Sequence, residues 1–409
     1  LVLGLFASSA YSQTPTPTPK IDARTAQNMV ERVLKETSAI RGLRIKNAVP
    51  SGVQSRAGIE QMVEKQLKKS VSPSELAATD VFLKQLGLAP ANFNLKSYYV
   101  KMLGEQIAGY YDTQTKKFYT AQSVDPLQLE TVMAHELTHA LQDQHFGLSR
   151  LEKWPRHDSD ARVAMSALVE GDATLTMSRY MTRNPLRFLG VLGSALKPQN
   201  STQVFGSGPR ILQESLTFPY LKGMVFASNL YKAGGWAQVS RAFTVMPQSS
   251  EQILHFEKYL AREAPLKVAP RDLSRQLGRG WTVLDHDVNG EMGLALVVGE
   301  YVREQGAAER AAAGWGGDRY TVYRGPKGAV LVVQDCLWDS PAQAREWREA
   351  YARRSTNRFG APPRQREKVQ VWSAARNGVW MEQRGRRVLI LEGTVGAFNP
   401  TPLLAALWR

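Results

Sequence analysis

The chain has 409 residues, 43% of them hydrophobic, a single cysteine and a formal charge of +15. That length exceeds one small domain and predicts two folded units with enough apolar side chains for a sizeable core. One cysteine excludes a disulfide framework and a thiolate zinc cluster. Cys336 lies close to the apolar run 329–333, which makes it a buried structural thiol. No nucleic-acid motif accompanies the basic residues, so no nucleic-acid partner is expected. A solvated basic surface is the simpler explanation, with attraction to an anionic cell-envelope surface left open.

In chain order, residues 1–13 read as the remnant of a secretory signal peptide, with small residues around Ala10-Tyr11-Ser12 at the cleavage position. The missing initiating Met and basic segment suggest an N-terminally truncated chain. About ten apolar residues are too few for a membrane span, so a secreted or periplasmic location is expected. Residues 14–20, built on Thr-Pro repeats, form a stiff linker. A mainly helical unit is expected over 21–265. Helices are predicted over 22–40, 56–70 and 73–87, the last opened by Ser72-Pro73-Ser74-Glu75. A hairpin follows, with strands at 107–111 and 117–121 around the turn 112–116.

The next helix is predicted over 127–146. Leu129, Val132, Met133, Leu137, Ala140 and Leu141 give its buried face, Pro126 its start and Gly147 its stop. Asp158-Ser159-Asp160 offers an N-cap for a helix from Ala161 to about Tyr180. Residues 185–210 are rich in Gly, Pro and Ser and read as a loop or lid. Helices resume over 219–243 and 249–263. After Pro265 and Pro270 a smaller α+β domain is expected over 270–409. Its predicted helices cover 291–305 and 340–354, and its predicted strands 320–323, 329–335, 369–374, 378–383 and 387–393. It carries no evident chemistry.

The chemistry concentrates in His135-Glu136-Leu137-Thr138-His139. Two histidines four apart on a helix lie one above the other and can reach one metal ion. Glu136 projects beside them, where it can deprotonate a metal-activated water. A catalytic zinc needs a third protein ligand. His145 has the spacing of the metzincin pattern, but Gln142 stands where that family has a helix-breaking Gly. If the helix continues, His145 lies about 9 Å beyond His139 along the axis and points away. Glu170 fits better. It is a carboxylate on an otherwise apolar stripe of the following helix, and burying it without a partner is costly. An oxyanion-stabilising donor is also needed. His255 is the first candidate, with Tyr220, Tyr110 and Tyr111 behind it, although a histidine hydrogen-bonded between helices is the plainer role for His255. His157 and His286 carry no local pattern and read as surface residues.

His-Glu-x-x-His on one helix and Glu170 in a Glu-Gly-x-Ala context on the next resemble the gluzincin class of zinc metallopeptidases. Further stretches resemble a group of exported bacterial zinc peptidases. These are Glu105-Gln106-Ile107-Ala108-Gly109-Tyr110-Tyr111-Asp112, Phe218-Pro219-Tyr220, the stretch 249–259 and Trp315-Gly316-Gly317-Asp318-Arg319-Tyr320. The resemblance spans about 95–340. It implies an α+β, zincin-like catalytic domain with a small edge hairpin, whose edge strand would pair with an extended peptide. It also implies Zn2+ held by His135, His139 and Glu170. Thermolysin-like enzymes have an Asp four residues after the ligand Glu. Here that position is Thr174, which leaves Asp172 or Asp143 to hold a ligand imidazole. The expected function is therefore a secreted zinc peptidase acting on a peptide or protein substrate, with Glu136 as general base. The alternatives are a catalytically weak zincin-fold envelope binding module, with the C-terminal domain carrying the function, and a zinc hydrolase acting on a non-peptide bond.

Overall fold

The computed structural model describes residues 21–122, 126–153, 156–183 and 206–409. The signal-like segment 1–13, the linker 14–20 and nearly all of the expected lid at 185–210 lie outside the described residues. Within them the fold is α+β, with fourteen helices, a three-stranded sheet and a seven-stranded antiparallel sheet.

The first helix, α1 (Ala23–Arg41), starts where the Asp22 side chain accepts the Thr25 N–H and stops at Gly42, whose φ of 72° suits glycine. Then come β1 (Ser51–Gln54), α2 (Arg56–Ser70), α3 (Pro73–Gln85) and α4 (Leu95–Gln106). The predicted start of α3 is a full capping box, with Ser72 and Glu75 bonded reciprocally. Strands β2 (Gly109–Asp112) and β3 (Lys117–Ala121) form the expected hairpin. The hairpin is not isolated, because β1 adds to β3 in parallel and gives the order β1-β3-β2.

Helix α5 (Pro126–Phe146) carries the His-Glu-x-x-His segment, and α6 (Ser159–Thr182), capped by Asp158, carries Glu170. Helix α7 (Arg210–Ala242) packs most extensively on α6. Two glycines set that crossing. A Cβ on Gly171 would lie 2.1 Å from the Gly223 carbonyl, and one on Gly223 would lie 2.1 Å from the Ala167 oxygen. The backbones touch there, and only hydrogen fits. The predicted helix over 249–263 breaks at His255, whose ψ of 88° is non-helical, into α8 (Ser250–Leu254) and α9 (Phe256–Ala261).

The remainder contains α10 (Ser274–Leu277), β4 (Thr282–Asp287), α11 (Gly290–Gly299), α12 (Ala307–Ala312), β5 (Trp315–Arg324) and β6 (Val330–Trp338). It continues with α13 (Pro341–Phe359), β7 (Arg364–Arg366), β8 (Val369–Ala374), β9 (Asn377–Arg384), β10 (Arg387–Thr394) and α14 (Pro400–Leu407). The sheet order is β4-β5-β6-β10-β9-β8-β7. The expected helix over 291–305 ends at Gly299 and resumes as α12 after Gly306, which has a φ of 70°. Helix α13 covers one face of the sheet, while Leu403, Leu404 and Leu407 of α14 pack on the other. Cys336 is fully buried on β6.

The largest apolar cluster takes residues from both sides of 265–270, including Val63, Phe82 and Leu86 together with Leu294, Trp347 and Ile390. Polar bonds cross as well. Arg354 and Arg358 of α13 donate to the Leu86 and Gln85 carbonyls at 2.5 Å, satisfying oxygens at the end of α3. Among the described residues no helix is long and apolar enough to cross a membrane.

Candidate metal centre

Helix α5 is largely buried because α1, α6 and the hairpin pack on it. His135 and Glu136 are fully buried, and His139 and Glu170 are almost so. The two imidazoles and the Glu170 carboxylate converge. His135 Nε2 lies 3.0 Å from Glu170 Oε2 and 3.0 Å from His139 Nε2, and His139 Nε2 lies 3.4 Å from Glu170 Oε2. Zinc bonds of about 2.0–2.1 Å place neighbouring ligand atoms of a tetrahedron about 3.3 Å apart, so these separations fit that geometry.

The amide of Gln142 fixes the ring of His139. Its Nε2 donates to the Val169 carbonyl at 3.0 Å and to Asp172 Oδ2 at 2.9 Å, so its Oε1 faces His139 Nδ1 at 2.8 Å. Because that oxygen can only accept, Nδ1 carries a proton and Nε2 is turned toward Glu170. Burial acts to lower the pKa of His139, yet the Glu170 carboxylate outweighs it and raises it to about 9, so Nε2 holds a proton that a bound cation would displace. Asp172 is in turn held by the buried Arg41 guanidinium at 2.6 Å. Of the two acids considered for this support, Asp172 acts through Gln142. Asp143 instead binds the hairpin, accepting from the Tyr111 hydroxyl at 3.0 Å and pairing with Lys116. Gln142 lies three residues after His139 on the same helix face, a spacing that could have flagged it.

Glu136 is held at one oxygen only. Its Oε2 accepts the Tyr111 backbone N–H of β2 at 2.9 Å, while Oε1 is buried and has no hydrogen-bond partner among the described residues. Burial raises its carboxyl to about 7. Burial also lowers His135 to about 4 and favours a neutral, ligating imidazole. Burial acts to raise Glu170, yet the neighbouring His139 and His135 outweigh it and hold the group at about 2, an ionised carboxylate. Two imidazoles with their Nε2 atoms turned inward and a carboxylate form a donor set that would suit a divalent cation such as zinc once His139 gives up its Nε2 proton.

Tyr220 on α7 stacks on His135, with ring centroids 5.9 Å apart. It sits one residue after Pro219, which lies inside the helix and has no N–H to give the Ser215 carbonyl. His255 faces elsewhere. It bridges α8 and α9 and bonds Glu291 at 2.8 Å, the interhelical role that was the plainer expectation. His145 stays on α5 and donates to the Arg44 carbonyl at 2.7 Å. Tyr110 turns to Gln54 of β1, at 3.0 Å. His157 and His286 are half-buried, and their rings meet at a tilt with centroids 4.6 Å apart.

A cavity of about 410 Å³ opens on this centre, with Glu170 and Tyr220 in its wall. Its other walls come from α2, α3, the start of α6 and β4.

A family model described as "Domain of unknown function (DUF8575)" matches residues 279–399. That segment runs from just before β4 to beyond β10. No curated protein and no solved structure matches the chain.

Proposed function

We propose that the protein is a zinc-dependent peptidase of gluzincin type, with His135, His139 and Glu170 as ligands. The observation that carries this assignment is the convergence of three buried donor atoms within 3.0–3.4 Å of one another. The Nε2 of His139 is aimed by Gln142, and the Glu136 carboxylate, whose Oε1 has no partner among the described residues, clusters with both histidines. When bound, zinc would supply a Lewis acid that polarises a carbonyl and lowers the pKa of water.

The chain's own groups do the rest. Glu136, steadied by the Tyr111 N–H, takes a proton from the attacking water through Oε1 and returns it to the leaving amine. Tyr220, stacked on His135, is better situated than His255 to donate to the developing oxyanion. Gln142, Asp172 and Arg41 keep His139 in its ligating tautomer. The cavity beside Glu170 receives the substrate. The signal-like first 13 residues support action outside the cytoplasm.

The test is casein hydrolysis by the wild-type protein and by Glu136→Gln, alongside bound-metal analysis of both. Activity should fall about 10²–10⁴-fold with zinc content unchanged. Equal activity in the two proteins would remove Glu136 as the general base, and no activity in either would leave a metal-holding binding module.

A further inference from the structure

The cavity that reaches Glu170 is chemically two-sided. Its floor is apolar, with Val63 and Leu67 of α2, Leu76 of α3 and Leu216 of α7. Its far wall is acidic and comes from parts of the chain remote in sequence: Glu75 at the start of α3, and Asp285 and Asp287 on β4. Within a chain of net charge +15, this wall carries three carboxylates, with the Arg162 guanidinium between Glu75 and Asp287 and the His157 imidazole 2.8 Å from one oxygen of Asp285.

Arg162 does not close the site. It stands 3.9 Å from Glu75 and 3.7 Å from Asp287, long for ion pairs, and gives its short bond of 2.6 Å to the Ser159 hydroxyl. His286 also lines the wall and adds little charge, since burial and the neighbouring His157 lower its pKa. Tyr99 and Tyr320 flank the wall, and Tyr320 is braced by Phe82 at 4.5 Å between centroids. Carboxylates beside aromatic faces, reached across an apolar floor, suit a long side chain with an apolar stem and a cationic head.

The distance fits the same occupant. Arg162 and Glu170 both line the cavity and are eight residues apart on α6, about 12 Å along its axis. One extended residue of about 3.5 Å together with a long side chain spans that interval.

We propose that this cavity is a side-chain subsite selecting a lysine or arginine one or two residues from the cleaved bond. The proposal rests on the peptidase assignment for its position, although the cation preference of the wall can be measured without it. Two experiments on the full chain separate them. In the first, casein digested by the wild-type protein is sequenced by mass spectrometry, and Lys or Arg should be enriched about tenfold at one fixed position from the cut. In the second, benzamidine, benzamide and benzoate are titrated into the wild-type protein and into Glu75→Gln and Asp285→Asn. Benzamidine should bind about tenfold tighter than either of the other two, and each substitution should erase most of that margin.

Cleavage without a Lys or Arg bias overturns the subsite and leaves the peptidase standing. If casein is not cleaved, benzamidine preference upholds the cation-selective cavity while the peptidase assignment falls. Absent cleavage, equal binding of the three probes, or a preference for benzoate through Arg162, overturns the subsite. The wild-type measurements decide the matter even if a substituted chain fails to fold.

Discussion

Of the clusters of three ligand-type side chains among the described residues, two differ in what closes them. Glu251, Glu263 and Asp339 surround Lys258, whose Nζ lies 2.7, 2.8 and 2.8 Å from their oxygens. Burial acts to lower the pKa of that lysine, but the three carboxylates outweigh it and hold it above the ordinary range. In the other cluster, among the described residues Glu170 pairs only with His135 and His139, and no Lys or Arg reaches it. Three carboxylates, Glu251 buried and the other two exposed, are balanced by a cation of the chain itself. Two imidazoles and one carboxylate, buried together, share a proton on His139 that a cation from outside would replace under the proposed zinc assignment.

The largest effect expected from this contrast is on metal content. Glu170→Ala, or treatment with a chelator, should take bound zinc from about one ion per chain to nearly none, whereas Glu263→Ala should leave it unchanged. Elemental analysis by mass spectrometry reads both, and equal loss would erase the distinction. The converse change, Lys258→Met, should leave zinc in place but lower stability by about 3–5 kcal/mol in urea unfolding, because Glu251 then stays buried without its partner.

A smaller effect concerns the support of the ring. Gln142→Leu should weaken zinc binding about 10–100-fold in chelator competition, with the helix intact by circular dichroism. The smallest effect extends the own-cation principle to Glu392, which accepts from Arg354 at 2.5 Å and Arg358 at 2.6 Å. Burial acts to raise the pKa of this carboxyl, yet the two arginines hold it below the usual range. Its stabilising contribution is therefore complete above the ordinary carboxylate pKa and is lost as the pH falls through the lowered value. Acid unfolding should be steeper below about pH 4 for wild type than for Glu392→Gln. Parallel curves would show that the arginines do not shift this group.

Much of this was legible along the chain because it is written locally. The periodicity of α5, the Asp158 cap of α6 and the Ser72–Glu75 box each involve residues a few positions apart. The approach of Glu170 to the imidazoles could be anticipated from the cost of burying a lone carboxylate. What escaped depends on partners distant in sequence. Strand β1 is four residues, Ser-Gly-Val-Gln, recognisable only once β3 pairs with it. Strand β4 reads Thr-Val-Leu-Asp-His-Asp, too polar to announce itself, and its acids face a cavity built largely by α2, α3, α6 and α7. The Arg41–Asp172–Gln142–His139 chain draws on three helices, and no single segment contains it.

The grip of α13 on the end of α3 has a practical consequence. A protease nick between residues 265 and 270 need not release two separable fragments, because Arg354 and Arg358 would still clasp the Leu86 and Gln85 oxygens across the cut. A fragment ending there would lose β4 and expose half of a shared apolar interior to solvent. An N-terminal fragment meant to isolate the candidate metal centre should therefore be co-expressed with the remainder.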